Sequence, residues 1–132
     1  MEEMGSIVTT NHWSCGSLKF SNLLDTVALT ELLYQVPPLY HMNMDEFRKH
    51  RATMLKHYAF FSPIHRKLGF LPMTGFAWLT PDHLVQRTVF GDAAEMIANF
   101  GTRPSTYKGI SIPPKSILAR WLKTGKMQIF TR

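Results

Sequence analysis

Leu84-Val85-Gln86-Arg87-Thr88-Val89-Phe90-Gly91-Asp92-Ala93-Ala94-Glu95-Met96-Ile97-Ala98-Asn99-Phe100 decides the fold of this chain. Its first arm is rich in β-branched and aromatic residues, Gly91-Asp92 offers a turn, and the second arm returns with the same period of two, which specifies an antiparallel hairpin. Leu84, Phe90, Met96, Ala98 and Phe100 fall on one face, while Val85, Val89 and Ile97 fall on the other. Neither face is polar, so each needs a cover. The natural covers are the second sheet of a sandwich on one side and a helical segment on the other.

Working outward, Gly and Pro punctuate the second half of the chain every eight to twelve residues. Residues 76–79 form a strand candidate before the turn Thr80-Pro81-Asp82-His83, and residues 109–112, 117–122 and 126–131 follow the hairpin, for five or six strands in all. Toward the N-terminus the period changes to that of a helix. Leu23, Leu24, Val27, Leu29, Leu32 and Leu33 predict a helix over residues 22–34, stopped by Pro37 and Pro38, after which residues 38–42 read as a short strand. Asn43 can cap a second helix, with Glu46 three residues on, and Phe47, Met54, Leu55, Tyr58 and Phe61 as its apolar face. That helix is predicted over residues 44–61 and ends at Ser62-Pro63. Its other face, with Arg48, Lys49, Lys56, His50 and His57, reads as solvated. The fold class is therefore α+β: an irregular segment 1–21, a helical segment 22–71 and a small antiparallel β-sheet or sandwich over 72–132.

A chain of 132 residues with 45% hydrophobic residues can build a core. Glu2 and Glu3 stand where a secretory leader carries cations, and no apolar run approaches the ~18 residues of a membrane helix. The expectation is no membrane association and, by default, a cytoplasmic location. All nine acidic residues lie at or before Glu95, whereas Arg103, Lys108, Lys115, Arg120, Lys123, Lys126 and Arg132 follow with no acid among them. Such a tail suits either an anionic partner or one edge of a larger protein, and its single spacing between apolar residues favours the edge.

No catalytic constellation is legible. Glycosidic cleavage needs two carboxyl groups about 5 to 9.5 Å apart across a cleft. Here Asp82 and Asp92 sit in turns, Asp45 and Glu46 open a helix, and Asp25 and Glu31 lie on different helix faces. His50 and His57 are about 10.5 Å apart along a helix, too far to share an ion, and His12 with Cys15 lacks a second ligand pair, so no metal or other cofactor is expected. Tyr107-Lys108, Arg120-Trp121 and Phe130 beside Arg132 interleave rings and cations as single-strand binders do, yet Trp121 and Phe130 also fall where a sandwich wants core.

The stretch from Trp78 to Asp92, then Ile97-Ala98-Asn99-Phe100-Gly101 and Gly109-Ile110-Ser111-Ile112-Pro113-Pro114, resembles the C-terminal region of certain bacterial glycoside hydrolases, in which a (β/α)₈ barrel is followed by an all-β domain. Tyr34-Gln35-Val36-Pro37-Pro38-Leu39-Tyr40-His41 is similar to the last barrel strand of those enzymes, and residues 44–61 to the barrel's closing helix. The resemblance covers residues 12–121. It implies a C-terminal fragment of a glycoside hydrolase that supports or packs on a catalytic barrel and is inactive alone, since the family's paired acids stand on earlier barrel strands. It also implies a substrate-binding role for Tyr40 and His41, at the strand end where barrel active sites are built. The partners implied are carbohydrate and either the missing barrel or a second copy through the helical face, with an apolar surface around Leu29, Leu33 and Phe47. The alternative is a free-standing basic β module that binds carbohydrate or, less favoured, nucleic acid.

Overall fold

The computed structural model describes residues 24–38, 40 and 43–131. Two helices, α1 (Leu24–Tyr34) and α2 (Met44–Leu68), precede seven strands: β1 (Met73–Trp78), β2 (Val85–Phe90), β3 (Ala94–Asn99), β4 (Ser105–Tyr107), β5 (Ile110–Ile112), β6 (Ser116–Trp121) and β7 (Met127–Thr131). The class is α+β. Five strands make one sheet in the order β1-β2-β3-β6-β7, with every neighbour antiparallel, and β4 with β5 makes a second sheet of two.

The central hairpin runs in register from Val85 opposite Asn99 to Phe90 opposite Ala94. Gly91 takes φ 56° in its turn, a left-handed conformation that costs glycine nothing. This register puts Phe90, Met96 and Ala98 on one face, where they meet Leu29, Leu32 and Leu33 of α1, Phe61, Ile64 and Leu68 of α2, and Ile117 and Phe130 of the sheet. A polar tie pins α1 across the strands: the Thr88 hydroxyl donates to the carbonyl of Leu33 at 2.7 Å in the buried layer. On the opposite face Val85, Ile97 and Leu118 pack under Ile112, Tyr107 and Ile110 of the two-stranded sheet. Both faces are covered, but the second cover is short and leaves Met127 and Ile129 exposed.

Leu29 and Leu33, which the sequence suggested as part of an exposed apolar surface, are 1% and 0% exposed because α1 lies flat on the sheet. Gln35 closes α1 at φ 55°, and the amide of Val36 reaches back to the carbonyl of Glu31 at 2.9 Å, satisfying an end carbonyl before Pro37. In the region predicted as a short strand, Pro38 and Tyr40 belong to none; Leu39, His41 and Met42 lie outside the described residues, as do His12, Cys15 and the segment 1–21.

Asn43 caps α2 as predicted, its side chain accepting the Glu46 amide at 2.9 Å. The other end is a correction: α2 continues through Pro63 to Leu68. Proline inside a helix costs about 3 kcal/mol, but the extra turns bury Ile64 and Leu68, at roughly 1.5–3 kcal/mol each. The face is also corrected. His57, Phe61, Ile64 and Leu68 point inward, whereas Phe47, Leu55 and Tyr58 are exposed. No helix among the described residues is long and apolar enough to cross a membrane.

Candidate functional site

Tyr40 and His41 are the residues the sequence singles out for substrate. His41 lies outside the described residues. Tyr40 is half-buried, and its hydroxyl is 2.8 Å from Nδ1 of His57. His57 is itself 5% exposed, between the rings of Phe61 and Phe130, and its Nε2 lies 3.8 Å from a carboxylate oxygen of Glu31, whose side chain is 2% exposed. If Tyr40 donates to Nδ1, the imidazole proton sits on Nε2, facing Glu31. The three groups thus link the connector, α2 and α1 through the interior, and His57 is no part of a solvated face.

Five further acids are engaged one by one. Glu46 pairs with His50 at 3.2 Å, Asp45 with Arg48 at 3.8 Å, and Asp92 with Lys123 at 3.5 Å. Asp82 accepts the Thr80 hydroxyl at 2.5 Å and the Leu84 amide at 3.0 Å, and these bonds hold its carboxyl below the usual range. Glu95 is fully buried where β2, β3 and β6 meet the two-stranded sheet. It accepts from Arg87 Nε at 2.8 Å, Arg120 Nη1 at 2.7 Å and the Tyr107 hydroxyl at 3.1 Å. Burial alone would raise its pKa, but those three donors outweigh it and leave the carboxyl below its ordinary range.

Two open cavities among the described residues border the sheet. One, of about 310 Å³, has Asp82 as its single acidic lining residue, beside Asn99 and Arg103. The other, of about 460 Å³, lies between α1 and the end of the sheet where β2 and β6 start, and no acid lines it. Neither brings two carboxyl groups together. Among the described residues, no group of three or more His, Cys, Asp or Glu side chains is placed to hold a metal ion.

The rings proposed for stacking are distributed differently from what their sequence spacing suggests. Phe130 is in the core, Tyr107 is tied to Glu95, and Trp121 is half-buried under the ammonium of Lys67 at 4.9 Å. Sequence reading missed the larger groove altogether. Its residues come from α1, the β1–β2 turn, β2 and the start of β6, and only the sheet order assembles them; the available signal was the Trp78-to-His83 turn with its exposed rings.

Residues 4–89, which span both helices, β1 and most of β2, match the family model described as glycosyl hydrolases related to GH101 family, GH129. No curated protein matches the chain.

Proposed function

The chain belongs to the glycosyl hydrolases related to the GH101 family, and from that premise we propose that its part is to support a catalytic barrel and not to cleave sugar itself. The observation that carries this reading is the disposition of the carboxyl groups. Glycosidic cleavage requires a facing pair. Glu95, Asp82, Asp45, Glu46 and Asp92 are instead dispersed into a buried ion cluster, a turn, a helix start and surface pairs, Glu31 lies in the interior beside His57, and the two cavities described hold one acid and none.

The surface that would meet the barrel is on α2. Met44, Phe47, Leu55 and Tyr58 are 62%, 37%, 55% and 56% exposed. Their spacing of 3, 11 and 14 residues from Met44 places them within about a quarter-turn of one another, along one side of the helix. Arg48 and Arg51 stand in the same stripe. An apolar strip studded with cations fits an apolar patch bordered by carboxylates, and a barrel's outer helices provide such patches. In this reading Tyr40 and His41 lie near the barrel rim, with the Tyr40 hydroxyl held by His57.

The test is association. The full chain is mixed with a separately expressed catalytic barrel of the same family, and binding is followed by sedimentation, with a variant carrying Leu55→Glu and Tyr58→Glu as comparison. We expect a 1:1 complex that the variant fails to form, and no cleavage of aryl glycosides by the chain alone. Turnover by the chain alone, or a dimer of the chain built through Leu55 and Tyr58, would overturn the reading.

A further inference from the structure

The 460 Å³ groove has the chemistry of a sugar subsite. From α1, Tyr34 offers a hydroxyl and Thr30, whose hydroxyl proton goes to the carbonyl of Thr26, offers an acceptor oxygen; Gln86 of β2, with one amide N–H on the carbonyl of His83, offers its carboxamide oxygen; and Lys115, just before β6, offers an ammonium. The groove is within the size range of small-ligand sites, and its mixture of rings and dispersed polar groups is what orients a polyhydroxylated ligand. Burial raises the pKa of Tyr34, so its phenol keeps the proton and remains a donor.

A ring wall stands beside these groups. The imidazole of His83, a lining residue, stacks on the indole of Trp78 at 3.9 Å between centroids and 13° between planes. Trp78 is 56% exposed, although burial of so large a ring is the usual outcome. It lies opposite Gln86 in the β1–β2 pairing and on the same sheet face, so the wall adjoins the carboxamide.

The backbone is also set for the groove. His83 and Lys115 hold φ of 62° and 52°, two of the four described non-glycine residues with positive φ. Such conformations cost about 1 kcal/mol or more and concentrate where a side chain must be aimed. Lys115 donates to the carbonyl of Phe100 at 2.5 Å, which fixes its head at the groove and leaves two further N–H donors on the ammonium.

We propose that this groove binds a sugar unit carrying an anionic group, with the sugar ring against Trp78 and His83 and the anion on Lys115. The choice of a sugar rests on the family reading. The choice of an anionic one rests on the groove, which is lined by one ammonium and no carboxylate. The docking stripe on α2 involves other residues, so either idea can fail while the other stands.

The experiment is titration of the full, isotope-labelled chain with tetragalacturonate and with uncharged galactotetraose, followed by amide chemical shifts. Tetragalacturonate is expected to shift the amides of Trp78, Gln86 and Lys115 and to bind about tenfold or more tightly than the neutral sugar, the size of one charge-assisted hydrogen bond. Lys115→Gln should bring the two affinities within about threefold, and Trp78→Ala should weaken both by about tenfold. Lys123→Gln, an exposed cation paired with Asp92 elsewhere, should leave both unchanged. Lys115→Gln retaining the preference, Lys123→Gln abolishing it, or no shift with either sugar up to about 10 mM would each overturn the proposal.

Discussion

Glu95→Gln is predicted to destabilise the fold by about 2–4 kcal/mol at pH 7. The carboxylate is fully buried and accepts three hydrogen bonds, two of them from guanidiniums. A carboxamide keeps one acceptor oxygen and turns the other position into a donor facing a donor. The nitrogen costs least at the Oε1 position, where only the bond from Arg120 is lost, at about 1.5–3 kcal/mol, and the donor left facing a donor adds about 1–3 kcal/mol, for a gross loss of roughly 3–5 kcal/mol. Arg87 and Arg120 are each 28% exposed, so water recovers part of this when they are released. The pH dependence gives a second reading. Because the folded-state pKa of Glu95 is depressed, the unfolded chain binds more protons in the acidic range, and stability rises with pH there. The contribution is complete above the ordinary carboxylate range and is lost as pH falls through the folded value. Urea denaturation of both proteins at pH 7 and at steps down to about pH 3 should show a gap that narrows on acidification. A gap under about 1 kcal/mol at pH 7, or one that does not narrow, would refute the reasoning.

Met96→Ala, at a fully buried position between the helices and the sheet, should cost about 2–5 kcal/mol in thermal or urea denaturation. Tyr40→Phe removes the hydroxyl bonded to His57 and should cost about 1 kcal/mol, which a matched pair of urea curves would resolve. Pro63→Ala restores an amide donor inside α2 and should stabilise the fold by about 1–2 kcal/mol; an unchanged or lower urea midpoint would show that the ring is favourable where it stands.

The hairpin was legible because Gly91-Asp92 marks a turn between two strand-forming arms and the period of two puts Phe90, Met96 and Ala98 on one face, as in the observed pairing, although Leu84, expected with them, precedes β2 and is 41% exposed. Both helices could be located for a similar reason, with Asn43 and Pro37 marking ends that backbone chemistry dictates. The burial of α2 could not be read. Phe47, Leu55 and Tyr58 are more apolar than His57, yet the inward face is chosen by what awaits it, the rings of Tyr40 and Phe130, and they come from distant parts of the chain. The Pro63 stop failed because a local cost was outweighed by the burial of Ile64 and Leu68. The groove was invisible for a topological reason: Lys115 and Tyr34 are far apart in sequence and meet only once β6 lies beside β3.

The sheet order also leaves β1 and β7 as its two edges. An unfinished edge is a template on which a second molecule can add its own strand. On β7 the hazard is greater, because Met127 and Ile129 are exposed apolar residues. Lys123 and Lys126, in the turn before β7, put positive charge beside this edge, Lys123 sharing its charge with Asp92, and so work against the approach of a second basic copy. We predict that acetylating these lysines makes the chain associate by strand addition. Light scattering of the acetylated protein staying flat at raised concentration would show that the edge is protected by something other than charge.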